Sequence, residues 1–332
     1  MRPGIVEVGS NTVRLAIADE DGGTPLPVHT SKRRLHLAER ATGDGRLGHD
    51  AVEQLVGALS QMKEEAARWG VTELFAFATA VVRDAPNQQE ILAEVHARTG
   101  LVLDVMSGVT EAELTFLAAR QWMGLQVGPM VLLDIGGGSL EVAFGRGRSP
   151  LFAVSLPLGA GRLTREYLAR DTVPDPEALR RVRRRVRHEL RDVATRVQWE
   201  GPRTAVATSR TFHQLGRLCG AAPGREGPFV PRRLTRRDLK AAVKTLAGLP
   251  VPERAGLPGI SPARARQSLA GAIIAHTTMR CLELDQVVLC PWALREGVML
   301  TALHNDGVFR YRMPASAPPP GDEPVRLPVS VR

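Results

Sequence analysis

The sequence predicts an α/β protein made of two related halves. Two stretches share one layout, in which an apolar run, an acidic residue and a turn of small residues lead into a second apolar run. They are "GIVEVGSNTVRLAIAD" (residues 4–19) and "GPMVLLDIGGGSLEVAFGRG" (residues 128–147). Elsewhere, short apolar segments alternate with segments of helical period, which is typical of strands and helices around a largely parallel sheet. A layout that occurs twice in one chain indicates two related halves.

The first half shows the alternation most clearly. Residues 50–70 carry apolar side chains at helical spacing and end at a glycine, which favours a helix end. Residues 73–81, "ELFAFATAV", are apolar enough for a central strand. Residues 87–100 and 110–124 have the pattern of two further helices, each closed by glycine. The order strand, helix, strand, helix predicts a largely parallel core sheet here.

The second half repeats the hairpin and then becomes mainly helical. An Arg-rich helix is predicted over residues 180–196, a long apolar helix over 263–282 and a last helix over 293–303. We predict a first domain over residues 1–124, a second over 125–310 and a disordered Pro-rich tail over 311–332. The 332 residues, 43% of them hydrophobic, are enough for two domains.

Composition limits the partners. The formal net charge of +9 favours polyanions, because lysine and arginine concentrate phosphate-rich molecules. Aromatic residues make up only 4% of the chain, which leaves little for stacking bases, so no specific nucleic-acid partner is expected. We interpret the Arg-rich segment as the solvated face of a helix. His213 and His276 are expected to be ordinary helix residues. The absence of a long apolar run predicts no membrane segment and a cytoplasmic protein.

The turn in "LLDIGGGSLEVAF" has the residues of a phosphate and metal site. A strand carries Asp134 to the sheet edge, and three glycines, at 136, 137 and 138, let backbone amides turn toward an anion. Ser139 adds a hydroxyl donor, and a second acid, Glu141, follows two residues later. Asp134 is placed to hold a divalent cation or water.

The opening hairpin supplies a matching turn. Glu7 corresponds to the strand acid, and the turn itself contains Gly9, Ser10, Asn11 and Thr12. Such a turn is ordinary by itself. Together with the glycine turn, it predicts a clamp that holds phosphate from two sides.

Four further motifs occur in order with these turns: "FATAVVRDAPN", "SGVTEAELTFL", "VATSRTF" and "CPWALREGVML". With them the chain resembles the exopolyphosphatase / guanosine pentaphosphate phosphatase family, within the superfamily of acetate and sugar kinases, Hsp70 and actin. "SLPLGAGRLTRE" is similar to the short actinobacterial exopolyphosphatases. The resemblance implies two ribonuclease-H-like domains of actin-like ATPase type, with mixed sheets flanked by helices and a cleft between the domains.

The resemblance also implies residue roles. Glu111 would be the general base that activates water, and Arg83 would contact phosphate. Asp134 and Glu141 would act with Glu111 in catalysis, and Asp134, Glu141 and Glu7 would bind Mg²⁺. The remaining phosphate-binding positions would be Gly9, Ser10, Asn11, Thr12, Gly136, Gly137, Gly138, Ser139, Thr208 and Ser209. Relatives of this kind are often homodimers.

We therefore expect an enzyme that releases orthophosphate from the end of inorganic polyphosphate. Two alternatives stay open. One is a guanosine pentaphosphate 5′-phosphohydrolase, and the other is a polyphosphate or alarmone sensor with weakened catalysis, because relatives usually have aspartate where Glu7 stands. A kinase is disfavoured, since Glu111 and Arg83 match the phosphatase pattern.

Overall fold

Two mixed β-sheets form the centre of the protein. The computed structural model describes residues 2–19, 27–168 and 171–304, so the tail predicted at 311–332 lies outside the described residues. The first sheet has the order β3-β2-β1-β4-β5, from strands β1 (Pro3–Val8), β2 (Thr12–Ile17), β3 (His29–Arg34), β4 (Glu73–Ala78) and β5 (Asp104–Val105). The second has the order β10-β11-β9-β6-β7-β8, from β6 (Met130–Ile135), β7 (Leu140–Gly145), β8 (Phe152–Leu156), β9 (Thr204–Ala207), β10 (Arg233–Thr235) and β11 (Gln286–Leu289).

The two sheets repeat one topology. In the first, β1 pairs antiparallel with β2 and parallel with β4. In the second, β6 pairs antiparallel with β7 and parallel with β9. The hairpins also share their register, since Glu7 lies opposite Arg14 and Asp134 lies opposite Glu141. The predicted fold class, an α/β protein with two mixed sheets flanked by helices, is confirmed.

Helices cover both sheets. In chain order they are α1 (His49–Arg68), α2 (Ala80–Arg83), α3 (Gln88–Thr99), α4 (Gly108–Met123), α5 (Ala160–Tyr167), α6 (Pro176–Glu189), α7 (Arg191–Glu200), α8 (Ser209–Leu218), α9 (Arg236–Ala247), α10 (Val251–Arg254), α11 (Pro262–Cys281) and α12 (Leu294–His304). The Arg-rich segment predicted as one helix forms two, α6 and α7, which meet at the buried Leu190. None of the helices in the described ranges combines the length and apolar character needed to span a membrane.

Two helices cross between the halves. Helix α4 follows the strands of the first sheet but packs against β6, β7 and β8 of the second, through Phe116 and neighbouring small residues. Helix α12 follows the second sheet but packs against β1 and α4, through Val298 and Met299. Helices α4 and α12 thus exchange places between the halves and bridge the cleft between the two sheets. The domain boundary at residue 124 stays a prediction.

The α4–α12 contact depends on Gly297. A Cβ atom added there would lie 2.1 Å from the Leu114 carbonyl oxygen of α4, too close for any real contact. We expect Gly297→Ala to lower the free energy of unfolding by about 3 kcal/mol through overpacking, measured by urea denaturation. Gly57→Ala in α1 is the matched control, because a Cβ there meets nothing within 4 Å. Equal stability of the two variants would contradict the close contact.

Candidate active site

The two predicted turns meet at the carboxyl ends of β1 and β6. A Cβ atom on Gly137 would lie 2.7 Å from the Cβ of Ser10, and one on Gly138 would lie 2.7 Å from the Cβ of Ala80. Only glycine permits this approach, because any side chain would push the two turns apart. The structure thus brings together the two halves of the predicted clamp.

Not every amide of the glycine turn is available to an anion. The Gly136 amide donates to the Ser139 carbonyl at 2.9 Å, which closes the turn. The start of α5 fixes the same turn, since the amides of Ala160 and Arg162 donate to the carbonyls of Gly136 and Gly137, each at 3.0 Å. In the described ranges, the amides of Gly137 and Gly138 donate to no protein acceptor, so these two can face a phosphate oxygen.

The opening turn is closed in the same way. The Gly9 amide donates to the Thr12 carbonyl at 3.0 Å. The side chain of Asn11 is buried and accepts a hydrogen bond from Gln267 of α11 at 3.5 Å, so this turn is tied to the second half of the chain. Ser10 is the member of the turn that faces the glycines.

Asp134 is an acid whose pKa is strongly raised by its surroundings. Burial, followed by the nearby charge of Glu141, raises its pKa to about 7, and Glu7 adds to the rise. Thr208, fully buried at the end of β9, donates its hydroxyl to the Asp134 carboxylate and opposes the rise. Ser209 follows with a left-handed φ of 70°, a strained backbone for a residue other than glycine.

Glu141 and Glu111 form a second acidic pair. Burial raises the pKa of both carboxyls, and for Glu111 the charge of Glu141 is the next cause. Glu141 accepts a hydrogen bond from the Ser155 hydroxyl at 2.8 Å, and hydrogen bonds from Ser139 and Ser155 partly oppose its rise. Two buried carboxyls that repel each other cannot both ionise easily, so one proton is readily held between them.

Glu111 also contacts Arg83. The residue lies in the first turn of α4, which is capped by the Ser107 hydroxyl accepting from the Thr110 amide at 3.1 Å. The residue is 6% exposed, and its carboxylate pairs with the Arg83 guanidinium. A helix-start acid that served only the helix dipole would face solvent. The burial of Glu111 beside a guanidinium indicates a site residue instead.

A chain of ion pairs connects this site across the cleft. Arg83 pairs with Asp84 at 3.3 Å, and Asp84 pairs in turn with Arg162 of α5. Neither Asp84 nor Arg162 was predicted as a site residue from the sequence, although both lie in motifs that carry the resemblance. Ser155 lies in the same "SLPLGAGRLTRE" motif as Arg162. This motif was therefore the signal in the sequence that could have identified Ser155 and Arg162 as site residues.

Three arginines near the glycine turn were also missed. Arg264 of α11 is largely enclosed, and burial, with the charges of Arg14 and Arg210, lowers its pKa to about 10. The acid that counters this effect is Asp134. Cations that repel one another around one acid are typical of a site that receives an anion. No spacing pattern joins residues 14, 210 and 264, so the sequence alone gave no signal for the cluster.

The carboxylates fit Mg²⁺ only with help from substrate and water. Across residues 2–19, 27–168 and 171–304, no three His, Cys, Asp or Glu side chains lie close enough together to enclose a metal ion. Glu7, Asp134 and Glu141 therefore do not form a three-ligand cage. Mg²⁺ usually binds through one or two carboxylates, with water and substrate phosphates completing its shell. Asp134, within electrostatic range of both other acids, meets that requirement.

The chain is similar to known proteins along most of its length. A model of the Ppx/GppA phosphatase family matches residues 16–306. An uncharacterized protein of Streptomyces coelicolor is 58% identical over 331 residues, 98% of each chain. Exopolyphosphatase 1 of Mycobacterium leprae is 44% identical over 311 residues, 92% of this chain and 91% of its own. The crystal structure of the Aquifex aeolicus Ppx/GppA family member has a TM-score of 0.78 at 27% identity, covering 92% of this chain and 98% of its own.

Proposed function

The chain belongs to the Ppx/GppA phosphatase family, and from this premise we propose that it is an exopolyphosphatase that releases orthophosphate from the end of a polyphosphate chain. The observation that carries the proposal is the placement of Glu111. It is a buried acid with a raised pKa, beside Arg83 and within electrostatic range of Glu141 and Asp134. A carboxylate of this kind is suited to take a proton from water near neutral pH.

In the proposed reaction, Glu111 accepts a proton from a water molecule as the water oxygen attacks the terminal phosphorus. A new P–O bond forms, the P–O bond to the bridging oxygen breaks in line with it, and the shortened chain leaves with the bond electrons. Arg83 exchanges part of its pairing with Glu111 for the terminal phosphate, to which its planar fork is suited. The amides of Gly137 and Gly138 and the Ser10 hydroxyl bind the phosphate oxygens from the two sides of the cleft.

The remaining acids would position the metal. Asp134, with Glu7 or Glu141, would hold Mg²⁺, which when bound neutralises charge on the transferring phosphoryl group. Thr208 orients Asp134 through its hydrogen bond. We also propose a cytoplasmic homodimer with domains over residues 1–124 and 125–310.

Two features bear on the alternatives. Arg264 lies within electrostatic range of Arg14, Arg210 and Asp134, and this concentration of positive charge beside Asp134 favours a linear polyanion over guanosine pentaphosphate. Glu7 favours the sensor, because its carboxylate sits one methylene further from the backbone than the usual aspartate, and catalysis tolerates such displacements poorly. These two features lead to different results in one assay.

Phosphate release from tripolyphosphate, long-chain polyphosphate and guanosine pentaphosphate should be measured in parallel, with and without Mg²⁺. We expect turnover of both polyphosphates that requires Mg²⁺, and at least tenfold lower kcat/KM for the guanosine substrate. In Glu7→Asp the kcat should change less than about tenfold, since either acid can serve as a carboxylate ligand. Glu73→Asp, at the opposite end of the neighbouring strand β4, is the matched control. Binding without turnover in the wild type, with turnover gained in Glu7→Asp, would establish the sensor instead.

A further inference from the structure

A second basic site lies at the far end of the C-terminal half. An open pocket of about 640 Å³ is lined by residues of α9, α11 and β11, with four permanent cations among them: Arg236, Arg237, Lys240 and Arg280. The same pocket contains His276, which was expected to be an ordinary helix residue. None of these residues belongs to the active site described above.

The pocket is remote from the cleft. Helix α11 runs between them, since Arg264 in its first turn interacts with Asp134 and Arg280 lies in its last turn. The sixteen residue steps from Arg264 to Arg280 correspond to about 24 Å along the helix axis. Strand β11 gives the same direction, because Leu289 pairs with Ala207 next to the cleft while Gln286, at its start, lines the pocket.

The positive charge of the pocket is poorly compensated. Asp285 is the one acid in its lining and pairs with Arg236 at 2.6 Å. In the described part of the chain, Lys240 and Arg280 are exposed and form no ion pair with an acid. Burial lowers the pKa of His276, and the charges of Arg183, Arg280, Arg236 and Lys240 lower it further. Arg237 pairs with Asp238 at 3.5 Å, so among the described residues two of the four cations have an acidic partner and Lys240 and Arg280 do not. This excess of neighbouring cations over acids favours binding of an anion.

The charge also extends beyond the pocket. Arg183 belongs to the Arg-rich helix α6, which, like α9, packs against α11. In that helix, Arg180 and Arg184 both pair with Glu177, at 2.6 and 2.7 Å. Arg183 therefore extends the basic surface of the pocket while its neighbours face solvent. A basic surface that continues from the pocket to Arg183 fits an extended anion better than a compact one.

The lining favours phosphate over a nucleic acid. It contains no Phe, Tyr or Trp, the side chains on which unpaired bases stack. The side chains present, arginine, lysine and threonine, are those that bind phosphate oxygens.

We propose that this pocket is a second phosphate-binding site, which holds an interior segment of a long polyphosphate chain while the end of that chain occupies the catalytic cleft. The inference rests on the proposed function for its substrate, although binding at the pocket needs no catalysis. Chains too short to span the distance to the cleft cannot use both sites at once. Longer chains gain affinity because the second contact is intramolecular.

The kinetic test uses Lys240→Ala/Arg280→Ala in the full-length protein. We expect its KM for long-chain polyphosphate to rise about tenfold, with kcat and the KM for tripolyphosphate within twofold of wild type. The salt dependence of the long-chain KM should also weaken, since two phosphate contacts are lost. Lys32→Ala/Arg68→Ala removes the same charge from exposed positions near the first sheet and should leave all three constants unchanged. An unchanged long-chain KM, or an equal rise with tripolyphosphate, would overturn the proposal.

Equilibrium binding separates this proposal from the proposed function. Long-chain polyphosphate should be titrated into the wild type, both double variants and Arg280→Gln without Mg²⁺, using calorimetry. Weaker binding only in the two pocket variants supports the site even if the protein hydrolyses no polyphosphate. Equal binding by all four proteins contradicts it. A single-stranded DNA oligonucleotide that binds as tightly, and through the same residues, would make the pocket a nucleic-acid site and overturn the assignment.

Discussion

Replacing Glu111 by glutamine is expected to lower kcat for phosphate release by about 10³-fold and to change KM by less than threefold. Glutamine keeps the size of the side chain and can still accept a hydrogen bond from Arg83. It cannot accept a proton from water. The loss should therefore be confined to the chemical step, and the protein should still bind long-chain polyphosphate.

The pH dependence gives an independent check on the same residue. Burial and the charge of Glu141 hold the pKa of Glu111 well above its ordinary value of 4.5. A general base must be deprotonated, so kcat/KM should rise with pH along an acid limb whose midpoint lies clearly above 4.5. Because Glu111 and Glu141 interact, the midpoint belongs to the pair, and it should disappear in Glu111→Gln.

Glu113→Gln is the matched control for this variant. Glu113 lies in the same part of α4 but is exposed, so its replacement should leave the rate and the acid limb unchanged. Phosphate release by Glu111→Gln at the wild-type rate would remove Glu111 as the base. Equal losses in both variants would point to a general effect on α4 and would equally contradict the assignment.

The parts of the site that the sequence predicted are those fixed by local structure. Glu7 and Asp134 each lie one residue before the end of a strand that leads into a tight turn, and the strand pattern alone determines that placement. The two turns were expected to face each other because the halves share one layout. The contact of Ser10 with Gly137 agrees with that expectation.

The parts that the sequence did not predict depend on packing between distant segments. Asp84 and Arg162 are far apart in the chain, and their pairing requires α5 to lie against the end of α2. The exchange of α4 and α12 between the sheets has the same origin. Each helix shows an apolar face, but a face does not identify the sheet that it covers.

The Arg-rich segment contains one feature that local structure determines and one that depends on packing between distant segments. Its interpretation as a solvated face holds for Arg180 and Arg184, which pair with Glu177 within helix spacing. Arg183 differs because α11 lies beside it and carries His276. Sequence spacing gives the first arrangement, whereas the second exists only once the two helices have packed.

Asp134→Asn is expected to stabilise the protein at pH 8 while it abolishes most of the activity. The folded protein raises the pKa of Asp134 from an ordinary value of 3.8 to about 7. Between these values the folded state holds a proton that the unfolded state releases, so stability falls as pH rises. The ionised carboxylate thus costs the folded state roughly 4 kcal/mol above pH 7, at 1.36 kcal/mol for each pKa unit.

Asparagine removes this cost and still accepts the hydrogen bond from Thr208. Urea denaturation without Mg²⁺ should show Asp134→Asn more stable than wild type by about 4 kcal/mol at pH 8, with the difference vanishing near pH 4. Asp192→Asn, at an exposed position in α7, is the control and should change stability by less than about 1 kcal/mol at either pH.

Mg²⁺ should narrow the difference in stability between the two proteins. A cation bound by the ionised carboxylate stabilises the wild type by about 2.7 kcal/mol at a hundredfold excess over its dissociation constant. Asp134→Asn has lost that ligand and should gain much less. If Asp134→Asn is no more stable than wild type at pH 8, the carboxylate is not held at an energetic cost. If Mg²⁺ stabilises both proteins equally, Asp134 does not bind the metal. The ionised Asp134, enclosed beside Glu7 and Glu141, would supply the negative charge that binds Mg²⁺. The bound cation would then offset the repulsion between these carboxylates and the incoming phosphate, so the energetic cost of ionising Asp134 is needed for the metal to bind.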